Sequence, residues 1–252
     1  MRILTQARDL GRRKARERDA LFVVEGVRAV EELLRSGLEV QGLLCAPQLA
    51  DSPRGAALRN AALQRGVQLS DVTDREFASA AETESPQGVL AIARTPHRTF
   101  ADLPATDTLR LLVLDAVQDP GNVGTIVRTA AALGADATIA LPGTVDLWNA
   151  KVVRSAMGAH FHHRAFHASW EELAAYCASG DVALWCADAG GVPVAGAIAP
   201  GRLALAVGNE GGGLSPHVRQ AATAVVSLPL SDAVESLNVA VAAGILLYEL
   251  RP

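Results

Sequence analysis

The sequence predicts an α/β protein with a mostly parallel sheet. Apolar runs of the length of one strand alternate with helical segments along most of the 252 residues. Continuous apolar runs are typical of strands covered on both faces, and strands that alternate with helices are joined by crossovers between parallel neighbours. Glycines and polar residues follow several of the runs, at the place where α/β proteins usually hold ligands.

Residues 1–94 predict a small α/β domain that begins with a basic helix. Behind this helix, apolar runs alternate with two helical segments, of which the first is amphipathic and ends at Gly37. The spacing of the apolar residues distinguishes the strands from the helices. The predicted elements are a strand over 21–26, a helix over 27–37, a strand over 40–46, a helix over 54–65, a short strand within 67–72 and a strand over 87–94.

Residues 95–108 predict a linker, because they are rich in threonine and proline and interrupt the periodicity. A second domain is expected over 109–252, where strands again alternate with helices. Alternation of this kind favours a mostly parallel sheet. The predicted strands cover 109–117, 137–141, 162–166, 182–187, 203–207 and 224–230.

The last predicted helix, residues 239–250, is apolar on nearly all sides. Such a helix has to be enclosed rather than half exposed. Enclosure by the rest of the chain and burial against a second copy both explain this pattern, and the sequence leaves both open. No apolar run reaches the length of a membrane span, and the start of the chain lacks the apolar core of a secretory signal. We therefore expect a cytoplasmic protein without a membrane segment.

The net charge of −4 argues against an indiscriminate nucleic-acid binder, which usually carries a net positive charge. Basic residues nevertheless crowd the N-terminus, and Arg12, Arg13 and Lys14 stand together within this segment. Lysine and arginine dominate contacts with nucleic-acid phosphates. The segment is therefore a candidate RNA contact, and a solvated helix face explains it equally well.

The cysteines and histidines do not show the spacing of a metal site. The three cysteines are widely separated in apolar surroundings, which is typical of small buried side chains in a reducing compartment. Four histidines surround a predicted strand, whose alternation would scatter them to both faces. We expect no metal, and we expect these histidines on the surface or facing RNA. The residues are Cys45, Cys177 and Cys186, and His160, His162, His163 and His167.

Three segments of the second domain carry the strongest functional signal: DPGNVGTIVRTAAALGA (119–135), LALAVGNEGGGLS (203–215) and LPLSDAVESLNVAVAAGILLYEL (228–250). In order and content they resemble the motifs of the SpoU (TrmH-like) family of RNA 2′-O-ribose methyltransferases, in the SPOUT superfamily. KVVRSAMGAHFHHRAF (151–166) resembles the connecting segment of that family. The matching residues are Asn122, Gly124 and Arg128, then Gly208, Asn209, Glu210, Gly211 and Gly213, then Ser236, Leu237 and Asn238.

This resemblance implies an enzyme that methylates the ribose 2′-hydroxyl of RNA with S-adenosylmethionine. It also implies a trefoil knot in the catalytic domain, a ribosomal-protein-like substrate-binding domain ahead of it, and a homodimer. Ribosomal RNA is the expected substrate, and transfer RNA is the alternative. A non-catalytic RNA-binding or ribosome-assembly protein of the same fold is a further alternative. A nucleotide-binding enzyme of Rossmann type is disfavoured, because the glycines at 208–213 lack the GxGxxG spacing.

The resemblance also assigns roles to individual residues. Methyl transfer from S-adenosylmethionine needs alignment of a hydroxyl group and removal of its proton, but no metal or covalent nucleophile. The guanidinium of Arg128 is effectively always protonated, so we expect it to clamp phosphate and orient the hydroxyl rather than act as the base. The implied catalytic residues are Asn122, Arg128, Glu210, Ser236 and Asn238, and the implied cofactor-binding residues are Gly208, Asn209, Leu228, Pro229 and Leu237.

Several of these residues also suit purely structural roles. Asn122 and Ser236 stand where a helix N-cap is expected. Arg128 lies among apolar residues, so it could extend from the helix to a structural carboxylate. The sequence departs from the usual family pattern at Ala233 and Ala240.

Overall fold

The computed structural model describes residues 2–231 and 233–251, which form two compact units. The first unit contains the chain up to Pro96 together with Trp148–His162, and the second contains His97–Leu147 and the residues from His163 onward. The sequence assigns residues 148–162 to the second domain, whereas in the structure they pack with the first unit. The other domain boundaries remain a proposal.

The first unit is built on a four-stranded sheet with helices around it. The sheet order is β1-β4-β2-β3, in which β4 is antiparallel to both of its neighbours and β2 is parallel to β3. The elements are α1 (Arg2–Asp9), α2 (Arg13–Asp19), β1 (Leu21–Glu25), α3 (Val27–Arg35), β2 (Val40–Cys45), α4 (Pro53–Gln64), β3 (Leu69–Asp71), α5 (Asp74–Ala78) and β4 (Val89–Arg94).

The remaining elements follow residue 108, and all of them except α7 belong to the second unit. They are β5 (Leu109–Asp115), α6 (Pro120–Ala132), β6 (Ala137–Ala140), α7 (Ala150–Ser155), β7 (Ala165–His167), α8 (Trp170–Ser179), β8 (Ala183–Pro193), β9 (Arg202–Gly208), α9 (Pro216–Ala221), β10 (Ala224–Ser227) and α10 (Val239–Glu249). None of the helices among the described residues is long and apolar enough to cross a membrane.

The second sheet has six strands in the order β10-β8-β9-β5-β6-β7, and every neighbouring pair is parallel. This confirms the predicted α/β fold with a mostly parallel sheet. From β5 the chain moves outward through β6 to β7, then crosses to the other side for the later strands. The order therefore reverses between β5 and β9, and ligands of open α/β sheets bind in the crevice at such a point.

Aromatic packing explains why residues 148–162 lie with the first unit. The ring of Phe22 on β1 lies 4.3 Å from the ring of Trp148 and 6.2 Å from the ring of Phe161, measured between centroids. Ala150 belongs to the same apolar cluster as the residues of β1, β2 and β4. The segment thus completes the core of the first unit.

The expectation of surface histidines is wrong for His160, and His163 is partly buried. His160 is 2% exposed and its ring lies 4.2 Å from that of Trp148. The Nε2 atom of His163 is 2.9 Å from the Oγ1 atom of buried Thr138, and burial lowers the pKa of His163 to about 4. Trp148 and Thr138, the neighbours of these two rings, lie outside the local strand, so strand alternation could not predict them.

The predicted burial of the cysteines agrees with the structure. Cys45 and Cys186 are buried and Cys177 is partly buried, all three as free thiols. Burial raises the pKa of Cys177 and that of Cys186 to about 11, so these thiols are protonated at neutral pH. Across residues 2–231 and 233–251, no group of three or more histidines, cysteines or carboxylates is arranged to hold a metal ion.

Helix α10 packs on α6 and β9. Ala243 and Leu246 are buried, whereas the exposed fractions of Val241, Ile245 and Tyr248 are 51%, 40% and 49%. These three residues follow one another at helical spacing, so they form one apolar stripe. Complete enclosure of the helix by its own chain, one of the two interpretations of its sequence, is therefore wrong.

A buried arginine holds the C-terminal end of α10 against the central strand. Arg110 on β5 is 7% exposed, and its Nε atom donates to the carbonyl of Leu250 at 2.8 Å. Its Nη1 atom donates to the carbonyls of Gly201 at 2.6 Å and Leu109 at 3.1 Å. One side chain thus joins β5, the start of β9 and the end of the last helix.

Replacement of Arg110 by methionine keeps most of the side-chain volume but removes all of these donors. We expect Arg110→Met to lower the free energy of unfolding by about 3 kcal/mol, because carbonyls that bonded to a buried charged group lose their partner. Urea unfolding followed by circular dichroism measures the change. The control is Arg251→Met, since the Arg251 guanidinium lies in an exposed position over the Tyr248 ring. An equal loss in both variants would contradict the anchoring role of Arg110.

Candidate functional site

The candidate site begins with a loop that follows β9 and requires glycine at its first position. A Cβ atom at Gly208 would overlap the backbone of Gly213 and would lie 2.5 Å from the backbone nitrogen of Leu214. Gly213 has a φ of +66°, in the left-handed region that glycine adopts without strain. Glycine at these positions therefore lets the loop fold back tightly against the end of β9.

Asn209 folds this loop and ties it to the end of β5. Its Oδ1 atom accepts hydrogen bonds from the N–H groups of Gly211 and Gly212, both at 2.9 Å. Its Nδ2 atom donates to the carbonyl of Ala116 at 2.9 Å. Asn209 also exchanges two backbone hydrogen bonds with Gly213. All of these contacts shape the loop, so the side chain of Asn209 is a structural clamp.

Asp115 and Ser215 form a second clamp, which was not predicted from the sequence. Asp115 ends β5 and is 3% exposed, and its Oδ2 atom accepts from the backbone N–H of Ser215 at 2.6 Å and from its hydroxyl at 2.7 Å. The available signal was a carboxylate at the end of an apolar run, because a buried carboxylate needs hydrogen-bond partners. The loop after β9 is thus pinned at its start and at its end.

A chain of side-chain hydrogen bonds joins the three sequence motifs. The Nδ2 atom of Asn122 donates to Oε1 of Glu210 at 2.7 Å, and Nδ2 of Asn238 donates to Oδ1 of Asn122 at 2.9 Å. Oδ1 of Asn238 accepts from the backbone N–H groups of Ala240 at 2.9 Å and Val241 at 3.4 Å. The N-terminus of α10 therefore determines the orientation of both amides, and Glu210 accepts at the far end.

The structure corrects two predicted helix caps. The side chain of Asp119 caps α6 by accepting from the N–H of Asn122 at 2.7 Å, and Pro120 occupies the first position of the helix. Proline is favoured there, so the helix begins before Asn122 and leaves its amide free for Glu210. Asn238 rather than Ser236 caps α10. Ser236 lies two residues ahead of the cap.

A cavity of about 250 Å³ opens beside the loop after β9, within the second unit. Its wall combines backbone of that loop with apolar side chains from β9, β10 and α10 and with polar residues ahead of α10. Six of the residues with an implied catalytic or cofactor-binding role line it: Gly208, Asn209, Glu210, Leu228, Ser236 and Leu237. Asn122 and Asn238 reach the wall through Glu210, while Pro229 is exposed beside Leu228.

Arg128 is not part of this cavity. It is exposed on α6 and borders a separate depression of about 390 Å³, together with Gly244, Ile245 and Tyr248 of α10. Among residues 2–231 and 233–251 it forms no salt bridge. The interpretation that Arg128 extends to a structural carboxylate is therefore wrong, and its charge stays available.

The three basic residues near the N-terminus, Arg12, Arg13 and Lys14, are exposed on the first unit. Arg12 lies 3.7 Å from Asp9, and Nε of Arg13 lies 2.7 Å from Oε1 of Glu17. Local carboxylates thus balance part of their charge. Arg16 of the same segment is buried and donates to the carbonyl of Leu10, which gives it a structural role.

Comparison with known protein families assigns both parts of the chain. Residues 110–248 match the model of the SpoU rRNA Methylase family, and residues 3–91 match the MRM3-like substrate binding domain. A relative from Bacillus subtilis, 23S rRNA (guanosine(2553)-2′-O)-methyltransferase RlmP, is 36% identical over 243 residues, which cover 95% of this chain and 92% of the relative.

Solved structures with the same fold include two that contain AdoMet. The SpoU methyltransferase AviRb from Streptomyces viridochromogenes, in complex with the cofactor AdoMet, superposes with a TM-score of 0.87 at 28% identity and covers 98% of this chain and 96% of its own. An AdoMet-bound rRNA methyltransferase from Sinorhizobium meliloti gives a TM-score of 0.87 at 27% identity, with coverage of 98% and 93%.

Substitutions of Asn238 and Ser236 test which of these residues caps α10 and so anchors the hydrogen-bond chain. We expect Asn238→Ala to lower the free energy of unfolding by about 1 kcal/mol, because the helix loses its N-cap. Ser236→Ala should leave it within about 0.5 kcal/mol of the parent, since Ser236 caps no helix. Urea unfolding compares the two variants. Equal destabilisation by both substitutions would contradict the assignment of the cap to Asn238.

Proposed function

Because the chain belongs to the SpoU rRNA methylase family, we propose that it transfers a methyl group from S-adenosylmethionine to a ribose 2′-hydroxyl of ribosomal RNA. The observation that carries the proposal is the convergence of all three motifs at the carboxyl ends of β5 and β9, where Glu210, Asn122 and Asn238 form one hydrogen-bonded chain beside the cavity. Relatives named as ribosomal RNA 2′-O-methyltransferases support the choice of substrate.

The residues around the cavity fit S-adenosylmethionine. Gly208 has no side chain and lines the cavity, so its main chain can contact a ligand there. Leu228, Leu237 and Leu246 give the wall apolar surface for an adenine ring, and Ser236 adds a hydroxyl group. AdoMet in two solved relatives of the same fold supports this assignment. S-adenosylmethionine supplies an electrophilic methyl group when bound.

The exposed chain of amides and carboxylate faces the RNA in this proposal. Glu210 accepts one hydrogen bond from Asn122 and keeps further lone pairs for a ribose hydroxyl. Its position is held through Asn122 and Asn238 by the N-terminus of α10. Such preorganised groups align the hydroxyl for attack without cost at the moment of reaction. Arg128, which is exposed and free of salt bridges among the described residues, clamps an RNA phosphate.

A homodimer and a cytoplasmic location belong to the same proposal. The stripe of Val241, Ile245 and Tyr248 on α10 is apolar and exposed in the single chain. An exposed apolar patch of this kind marks an interaction surface, and a twofold axis buries identical patches against each other. The cytoplasmic location is supported by the proposed substrate. The trefoil knot and RNA contacts of Arg12, Arg13 and Lys14 likewise remain proposals.

The first experiment is transfer of labelled methyl from S-adenosylmethionine to ribosomal and transfer RNA that lack the modification, followed by mapping of the 2′-O-methylated positions. Label at one ribose of ribosomal RNA is the expected result. Label confined to transfer RNA would identify transfer RNA, rather than ribosomal RNA, as the substrate. Binding of S-adenosylmethionine without transfer to either RNA would favour the non-catalytic alternative.

Substitution of Arg128 separates its proposed RNA role from cofactor binding. We expect Arg128→Ala to abolish methyl transfer while S-adenosylmethionine affinity stays within a few-fold of the parent, because Arg128 lies outside the cavity. Calorimetric titration measures the affinity. Arg128→Lys is the matched variant, and it should retain part of the activity because it keeps the charge but not the planar fork. A parallel loss of cofactor affinity would contradict the role on RNA.

The dimer proposal predicts a change of oligomeric state. We expect Ile245→Asp to convert a dimer into a monomer, because it places a carboxylate in the centre of the apolar stripe. The control is Val192→Asp, which changes an apolar residue that is 72% exposed elsewhere in the second unit. Sedimentation velocity at micromolar concentration distinguishes the states. A parent protein that is already monomeric would contradict the proposal.

A further inference from the structure

The first unit contains a cavity that the proposed methyl transfer does not use. Its volume is about 680 Å³, and every residue around it belongs to the first unit. The N-terminal end of α3 forms one side, the segment ahead of β4 forms another, and the C-terminal end of α7 closes the third. None of the catalytic or cofactor-binding residues implied by the motifs lines this cavity.

Three arginines line this cavity, and only one of them is held in a salt bridge among the described residues. Arg54 pairs with Glu31 through two nitrogens, with Nε 2.8 Å from Oε1. Arg28 and Arg154 also line the cavity, and neither forms a salt bridge among residues 2–231 and 233–251. Arg28 is exposed in the first turn of α3, and Arg154 is half-buried in the last turn of α7.

The carboxylates of the cavity are already occupied. Glu25 accepts hydrogen bonds from the backbone N–H of Glu82 at 2.9 Å and from the hydroxyl of Thr83. Glu32 accepts from Nη1 of Arg35 at 2.8 Å. These bonds tie both carboxylates to the walls, whereas the guanidinium groups of Arg28 and Arg154 form no salt bridge among the described residues and can meet a ligand. The N-terminus of α3 adds its dipole on the same side.

The backbone after α7 is shaped to close the cavity. Met157 has a φ of +52° and Gly158 a φ of +88°, so two consecutive residues are left-handed. A Cβ atom at Gly158 would lie 2.9 Å from Cβ and Cγ of Glu32, so the turn is pressed onto α3. Met157 lies at the rim of the cavity, and its exposed fraction is 54%. A non-glycine residue in this region of φ is costly and is often found at functional sites.

We propose that this cavity binds the sugar-phosphate backbone of the RNA substrate, with Arg28 and Arg154 on phosphate groups and Met157 against a neighbouring base. The inference deepens the proposed function, on which it rests. The planar guanidinium group of arginine can donate two parallel hydrogen bonds to a phosphate. The polarisable thioether of methionine packs on aromatic rings. RNA fits better than an inorganic ion, because the cavity far exceeds one phosphate and joins charge to an exposed apolar side chain.

Helix α7 lies inside the range that matches the SpoU family. Nevertheless, α7 and the turn after it contribute Arg154 and Met157 to a cavity of the first unit. The substrate-binding part of the protein is therefore incomplete without residues 148–162. A fragment that ends before this segment would lack one of the two guanidinium groups assigned to phosphate.

The test uses the full chain and an unmodified transcript of 23S ribosomal RNA in filter binding across a salt series. We expect Arg28→Ala and Arg154→Ala each to weaken binding about fivefold to tenfold. Each should also reduce the slope of log affinity against log salt by roughly 0.7 to 0.9, the value for one lost phosphate contact. Arg154→Lys should restore most of the affinity because it retains the charge. The control is Arg65→Ala, which removes an exposed charge of the first unit outside the cavity.

Measurements of cofactor affinity and methyl transfer distinguish failure of this inference from failure of the proposed function. Normal S-adenosylmethionine binding by the variants, together with reduced RNA affinity and a raised KM for RNA, supports the site. Loss of RNA affinity in the Arg154 variant of a protein that methylates nothing would support the site while the proposed function fails. Parental RNA affinity and salt slope in both alanine variants would overturn the site, as would competition of the binding by free mononucleotide or inorganic phosphate alone.

Discussion

The hydrogen-bond chain from Glu210 through Asn122 to Asn238 is the interaction on which the candidate site depends. It joins residues that stand 88 and 116 positions apart in the sequence. Its direction is set at one end, where Oδ1 of Asn238 accepts from the first N–H groups of α10. Because each amide has one acceptor and one donor side, that single cap orients both amides and leaves Glu210 as the terminal acceptor. A local helix cap thereby determines the chemistry of a site built from three distant segments.

The parallel sheet makes this arrangement possible. β5 and β9 are neighbours, so Asp115 and Gly208 lie side by side at their carboxyl ends. The loops that follow are then joined by the side chain of Asn209 and by the Asp115–Ser215 clamp. Glycine at position 208 lets these loops approach closely enough for the contacts to form. The site is thus positioned by the rigid end of a sheet, although most of its residues lie in loops.

Helix α10 combines two constraints in one element. One face holds the helix on α6, where Gly244 allows close packing beside Thr129, and Arg110 fastens its C-terminal end. The other face is equally apolar but exposed in the single chain. The uniform apolar composition of this helix therefore reflects two different packing requirements. Periodicity alone cannot separate them, because both faces use the same residue types.

Much of the fold followed from local pattern. The continuous apolar runs at 109–117 and 203–207 predicted β5 and β9 to within two residues, because a strand buried on both faces needs such a run. The helix over 27–37 was predicted for the same kind of reason, from its amphipathic spacing. The parallel arrangement of the second sheet followed from the alternation of strands and helices.

The candidate site was predicted in part. The motifs named Glu210, Asn122 and Asn238, but not their hydrogen bonds, since amide side chains can both cap helices and bond to one another. The cap of α6 lies on Asp119 rather than on Asn122, because proline at position 120 occupies the first turn of the helix. The role of Asp115 does not follow from local pattern, because its partner, Ser215, lies 100 residues away.

The sequence by itself determined the fold class, the family and the identity of the motif residues, because these depend on residue type and local order. Only the tertiary structure decided that Arg128 lies outside the cavity, that His160 is buried, and that Trp148–His162 packs with the first unit. These outcomes depend on contacts between segments that are distant along the chain. Burial and hydrogen-bond partners of this kind are set by the packing of the whole unit, which no local pattern records.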